Sequence, residues 1–303
     1  MLARLIRFSL ALELATLVAL GVWLHASYDW PAAALVLGAL GLMLATRLGL
    51  VCLTALLGWV YRSARPPELR MRLSEIPRYL AQEYRALLAD NFWYLPWESI
   101  ALRPDPAPLP TGRVPIVLVH GYLSNRGYFR PLVRWLEAED AGPVFAPNFP
   151  VLFTSIGHFA DELHEAIERI ASGCGQRVIL VCHSMGGLAA RRYLQVHGEG
   201  RIAKLITIAS PHHGTALAGA GLGLNARQMG RGSDFLVALE TAEAERAPSV
   251  AAVSIYSPHD NLVAPQDTSR LAWARNVSVP GLGHVSIIAS PRMFPALRDA
   301  LRG

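Results

Sequence analysis

A mostly parallel α/β sheet covered by helices, preceded by an N-terminal transmembrane helical hairpin, is the architecture that this 303-residue sequence predicts. Three observations carry it. Composition is split, 52% hydrophobic against only 17% charged, where soluble domains carry about 25% charged residues; a membrane portion joined to a water-soluble one explains the imbalance. Two long apolar runs fill the first 61 residues. From residue 114 onward, short β-branched runs alternate with amphipathic stretches, the pattern of parallel strands linked by crossover helices.

The hairpin is expected over residues 1–61. Its first run, residues 8–26, is close to the ~20 residues needed to cross hydrocarbon, and Glu13 is its one acid. Arg4 and Arg7 before it also fit a signal peptide, but a second run, 32–61, follows at once after "SYDWP" and is interrupted only by Arg47. That run suits one tilted helix, or two short segments broken near "TRLG". Arginines flank both ends, Arg4 and Arg7 before the first run, and Arg62, Arg65, Arg70, Arg72 and Arg78 after the second. This bias favours a multi-pass protein of the inner (plasma) membrane with both ends, and the catalytic domain, on the cytoplasmic side. A three-span reading would push the second cluster across. Arg47 is expected to face Glu13, to face the partner helix, or to snorkel.

Residues 62–112 form a linker region. Leu69, Leu73, Ile76, Leu80, Leu87 and Leu88 fall near helical spacing among charges, predicting an amphipathic helix or pair broken at Pro77. Trp93, Tyr94 and Trp97 could anchor at a membrane surface; packing on the soluble domain is the favoured alternative. The proline-rich "RPDPAPLPTGR" closes the region.

The third unit spans 113–303. Its strand candidates are "VPIVLVHG", "VFAPNFP", "RVILVCHS", "KLITIAS", "AAVSIYS" and "NVSVPG", with helices expected over Arg130–Glu139, His158–Ala171 and Met185–His197. In open parallel sheets, ligands bind beyond the carboxyl ends of the strands, so chemistry is sought just after each run. After "VILV" stands "CHSMGG", a serine between strand and helix with Gly186 and Gly187 permitting close approach, although Cys182 occupies a position where glycine is usual. After "AAVSIYS" comes Asp260, and after the last run comes His284. A serine hydroxyl needs an imidazole to take its proton, and the imidazole needs a carboxylate to fix its tautomer. Ser184, Asp260 and His284 therefore read as nucleophile, acid and base. "VHGY" ends the first run, and the backbone N–H groups of Tyr122 and Met185 are candidate oxyanion donors.

Rival readings attach to the same stretches. His259 competes with His284 as base, and Asp267 with Asp260 as acid, although Asp267 also suits a helix cap. His183 is expected to pack or hydrogen-bond, His120 to brace the oxyanion loop, His212 and His213 to serve loop structure, and His158, His164 and His197 to lie on solvated helix faces. Three cysteines at these spacings make neither a disulfide framework nor a zinc site. They read as reduced thiols, two of them buried, with Cys182 a spacer and not the nucleophile. No basic stripe with interleaved aromatics is present, which argues against nucleic acid as a partner.

On "VHGY", "CHSMGG", "SPHHGT" and "DNLVAP", the chain from about residue 113 resembles the α/β-hydrolase superfamily, and within it the bacterial lipase and esterase group. The resemblance implies acyl-enzyme hydrolysis of an ester or thioester without a cofactor. Some lipases of this group hold calcium through an aspartate soon after the histidine; "HVSIIASPRM" has no acid, so no metal is expected. It also implies a lid, for which "TALAGAGLGLNARQMGRGSDFLVAL" is the candidate. The expectation is a membrane-anchored hydrolase of lipid or fatty-acyl esters. A tethered thioesterase or small-ester esterase, and a decayed hydrolase-fold scaffold, are the alternatives.

Overall fold

The six apolar runs pair into one sheet, all parallel, in the order β2-β1-β3-β4-β5-β6. The strands are β1 (Ile116–Val119), β2 (Val144–Phe145), β3 (Val178–His183), β4 (Ile202–Ile208), β5 (Ala252–Tyr256) and β6 (Arg275–Ser278). The computed structural model describes residues 1–107, 109–149 and 152–303; Pro108 of the proline-rich linker, and Pro150 of the "VFAPNFP" run with Val151, lie outside the described residues. β2 is shorter than its run because Pro147 has no N–H to give a ladder. The chain steps from β1 outward to β2, then returns to the other side of β1 for β3. This reversal opens a crevice at the carboxyl ends of β1 and β3.

Alternate strand residues face opposite layers. Val117, Val119, Leu180 and Cys182 pack with α6 (Ile156–Cys174) and α7 (Met185–His197), through Leu163, Ile167, Leu188 and Tyr193. Ile116, Leu118, Val181 and Ile206 pack with α5 (Arg130–Ala138) and α10 (Phe294–Arg302), through Leu132, Leu136 and Leu297. Each such fully buried side chain stabilises the fold by about 1.5–3 kcal/mol. His158 is exposed as expected, whereas His164 and His197 are only partly solvated: they stack at 3.9 Å between ring centroids, half-buried between α6 and α7.

The first 61 residues form α1 (Leu2–Tyr28) and α2 (Ala32–Val60), two helices long and apolar enough to cross a membrane. α2 is continuous through "TRLG". Arg47 is brought against the Glu13 carboxylate, and its guanidinium also reaches Asn91 Oδ1 at 3.3 Å and lies over the Phe92 ring. The linker contains α3 (Ile76–Ala89), a π turn over Asp90–Tyr94 and the short α4 (Glu98–Ala101). Pro77 does not break this helix. It sits in the first turn, where its missing N–H would have had no intrahelical partner. The aromatic segment reaches the α/β layer through the Leu95 carbonyl, which accepts from Asn125 Nδ2 at 2.8 Å, while Trp97 stacks under Arg7 of α1 and Trp93 stays exposed.

Two helices follow β4: α8 (Gly223–Gln228) and α9 (Asp234–Glu245). Buried Arg191 of α7 ties α9 down, its Nε and Nη2 each donating to Glu243 at 2.8 Å.

Candidate active site

β3 ends at His183 and α7 begins at Met185, so Ser184 alone makes the turn, at φ 55° and ψ −127°. A non-glycine residue held there costs about 1–3 kcal/mol. The strain persists because both sides are fixed: Ser184 N–H donates to the Ile208 carbonyl at 2.9 Å, and its own carbonyl accepts from Gly187 at 3.0 Å. The turn lies tight against β1. A Cβ on Gly186 would stand 2.5 Å from the Val119 carbonyl oxygen, and one on Gly121 would stand 2.7 Å from Ser184 Cβ. Cys182, by contrast, points into the α6–α7 core, and burial pushes its thiol pKa well up.

His284 and Asp260 arrive from the loops after β6 and β5. His284 Nε2 lies 3.0 Å from Ser184 Oγ, and His284 Nδ1 lies 2.9 Å from Asp260 Oδ2 and 3.2 Å from Oδ1. With both carboxylate oxygens beside it, Nδ1 carries the proton and Nε2 is left to accept from the hydroxyl. Asp260 Oδ1 also accepts the N–H groups of Leu262 and Val263 at 2.8 Å each. Burial by itself would lower the His284 pKa. The charge and hydrogen bond of Asp260, with a further contribution from Glu83, outweigh it and hold the pKa above its ordinary value.

Tyr122 lies in the loop after β1, next to Gly121, which packs on Ser184, and Met185 opens α7, so both residues border the serine turn. Among the described residues, neither donates to a protein acceptor. His120 braces this loop: its Nδ1–H donates to the Gly121 carbonyl at 3.1 Å and its Nε2 accepts from Phe149 N–H at 3.3 Å. Burial drops its pKa to about 4, which keeps it neutral.

The rivals have other partners. His259 Nδ1 accepts from Gly281 N–H at 2.9 Å, and Asp267 bonds the Ser63 hydroxyl at 2.6 Å. His212 meets Thr207 at 2.9 Å, and His213 meets Glu240 at 2.7 Å on the surface. His183 Nε2–H donates to the His284 carbonyl at 3.2 Å, and Tyr128 O–H to the Val285 carbonyl at 3.0 Å. Among the described residues, no cluster of three or more His, Cys, Asp and Glu could hold a metal ion.

Sequence reasoning did not find the residues that hold these loops from the N-terminal side. Glu83 of α3 accepts the N–H groups of Val285 and Ser286, both at 2.9 Å. Asn261 Oδ1 accepts the His284 N–H at 2.8 Å, while its Nδ2 donates to Thr54 of α2 at 2.9 Å. The available signal was a glutamate, four residues after Tyr79 and four before Leu87, on the buried side of an amphipathic helix.

The expected lid meets the loop after β1 that carries Tyr122. Tyr122 Oη donates to the Leu222 carbonyl and accepts its N–H, both at 2.8 Å. Around this clasp Leu123, Phe153, Leu222 and Leu224 are exposed. A separate cavity of about 910 Å³, lined by Leu56, Trp59, Leu80 and Arg65, reaches Asp260 from the α2 side and does not include Ser184.

The model of the alpha/beta hydrolase family matches residues 116–301. Human lysosomal thioesterase PPT2 is 27% identical over 128 residues, which cover 40% of this chain and 41% of that protein. The chain thus spans about two-fifths of the length of such curated relatives. Among solved structures, the mature lipase BlEst2 of Bacillus licheniformis superposes with a TM-score of 0.56 at 20% identity, covering 65% of this chain and 96% of that one. Aspergillus fumigatus lipase B gives 0.59 at 20% identity, covering 66% and 55%. At these identities the structural likeness is one of fold.

Proposed function

The chain belongs to the alpha/beta hydrolase family, and on that premise we propose that it is a membrane-anchored serine hydrolase cleaving lipid or fatty-acyl esters. The single observation carrying this reading is the line Ser184 Oγ, His284, Asp260, with 3.0 Å and 2.9 Å between successive partners. Ser184 attacks the acyl carbonyl while His284 Nε2 takes its proton. The oxyanion is received by the Tyr122 and Met185 N–H groups. The imidazolium, stabilised by Asp260, then protonates the leaving alcohol. Water, deprotonated by the same imidazole, releases the acid and restores the serine.

The apolar residues around the Tyr122–Leu222 clasp support a fatty-acyl substrate, and α1 and α2 support attachment to a bilayer. In this reading residues 1–61 anchor, 62–112 link and 113–303 catalyse. The arginines flanking both apolar helices put the two ends, and the catalytic unit, on the cytoplasmic side of the inner membrane. A tethered thioesterase is the second reading, favoured by the similarity to PPT2. It uses the same three residues on a thiol leaving group.

A fluorophosphonate probe tests the nucleophile. Wild-type protein is expected to be labelled and Ser184→Ala to be unlabelled, with ester turnover down by at least about 10³-fold. Unlabelled wild type, or labelled Ser184→Ala, sinks the assignment. Matched ester and thioester series of increasing acyl length then separate the two substrate readings.

A further inference from the structure

The N-terminal segment touches the acid and histidine loops repeatedly, and three of these contacts bear on His284 and Asp260. On α2, Thr54 holds Asn261, and Asn261 holds the His284 N–H. Also on α2, the Gly58 carbonyl accepts from Gln266 Nε2 at 3.0 Å, and the same amide donates to the Asp260 carbonyl at 2.8 Å. A Cβ on Gly58 would stand 2.8 Å from Asn261 Cα, so the helix backbone itself rests on the acid loop. On α3, Glu83 is 1% exposed and spends both carboxylate oxygens on Val285 and Ser286, the two residues that follow His284.

We propose that Glu83 is a positioning residue for His284, clamping the two peptide N–H groups after it so that the imidazole stays in line with Ser184. The proposal rests on the reading of His284 as the base. Each of the two adjacent N–H groups has its own carboxylate oxygen, Oε1 for Val285 and Oε2 for Ser286; a glutamine in the same pose would set its NH2 donor against one of them. A buried carboxylate is costly unless bonded, so a loop that merely needed support would be served as well by a neutral group. The charge has a second use: it lies on the side of His284 and favours the imidazolium formed during reaction.

The groups facing Glu83 are Tyr79 and Asp90 from its own segment, Tyr128 from the turn after β1, and His284; those facing His284 are Asp260, Glu83 and His183. Burial, then the Glu83 charge, push the Asp90 carboxyl well above its ordinary range. Glu83 is raised by burial too, against which the two amide bonds act.

The test uses full-length protein in detergent, with a soluble acyl ester and labelling of wild type as the check on the functional reading itself. Glu83→Gln should lower kcat by about 10–100-fold with KM changed less than about twofold. Because Glu83 helps to raise the His284 pKa, its neutralisation should also move the acid limb of kcat/KM to lower pH. Glu83→Asp keeps the charge but shortens the reach, and should lose kcat with the limb in place. Labelled wild type alongside a folded Glu83→Gln with unchanged kcat and limb overturns the proposal. Should Glu83→Gln fail to fold, wild-type kcat in Glu83→Asp overturns it instead.

Discussion

The two sides of the site are held in different ways. The serine turn and the oxyanion loop are built by the sheet from its own material: Gly186 against the Val119 carbonyl, Ser184 N–H on Ile208, His120 on Gly121 and Phe149. The loops carrying Asp260 and His284 lie beyond the strand ends near the sheet edge; Tyr128, His183 and Ser257 hold them from within the α/β layer, and Thr54, Gly58, Tyr79 and Glu83 hold them from outside it. One half of the site is thus as rigid as the core. The other depends also on the contact between the core and the N-terminal helices.

The same substitution placed in each half separates them. Gly186→Val forces a side chain into a 2.5 Å gap against backbone; it should cost about 3 kcal/mol or more and abolish both fluorophosphonate labelling and the cooperative melt. Gly58→Val meets the Asn261 backbone at 2.8 Å instead. It should leave the sheet's melting transition in place while lowering kcat about tenfold. A Gly58→Val protein with full activity would show that the acid loop needs no outside support. The smallest effect is expected at Cys182, whose thiol points away from the serine into the α6–α7 core. Cys182→Ala should keep kcat within about twofold and lose about 1–2 kcal/mol of stability from the small void, read from denaturant unfolding. Loss of labelling in that variant would return the cysteine to candidacy.

The sequence-legible parts are those with local causes. β-branched runs mark strands because side chains alternate between two covered layers, and all six runs entered the sheet. Ser184, Asp260 and His284, which the fold brings together, were legible because ligands in such sheets bind directly beyond strand ends. Glu83 was not, and its partner Ser286 lies 203 positions away. Hydrophobic periodicity on α3 reads Ile76, Leu80 and Leu87 but not the buried acid among them: Ile76 is exposed, and Tyr79 and Glu83, three and seven residues on, are buried against the catalytic layer. A polar face satisfied by main-chain groups of a distant loop leaves no apolar period to read. Pro77 misled for a related reason, since one residue type breaks a helix interior and opens a first turn.

Chain order gives the contact between α2 and the Asp260 loop a further meaning. A ribosome delivers Thr54, Gly58 and Glu83 long before Asp260 and His284, and nascent chains fold from the N-terminus as they emerge. The hairpin is therefore available to enter a bilayer before the last two members of the site exist. When they emerge they close onto helices already in place, so that on the proposed reading Ser184 would gain its partners only after the two apolar helices have formed.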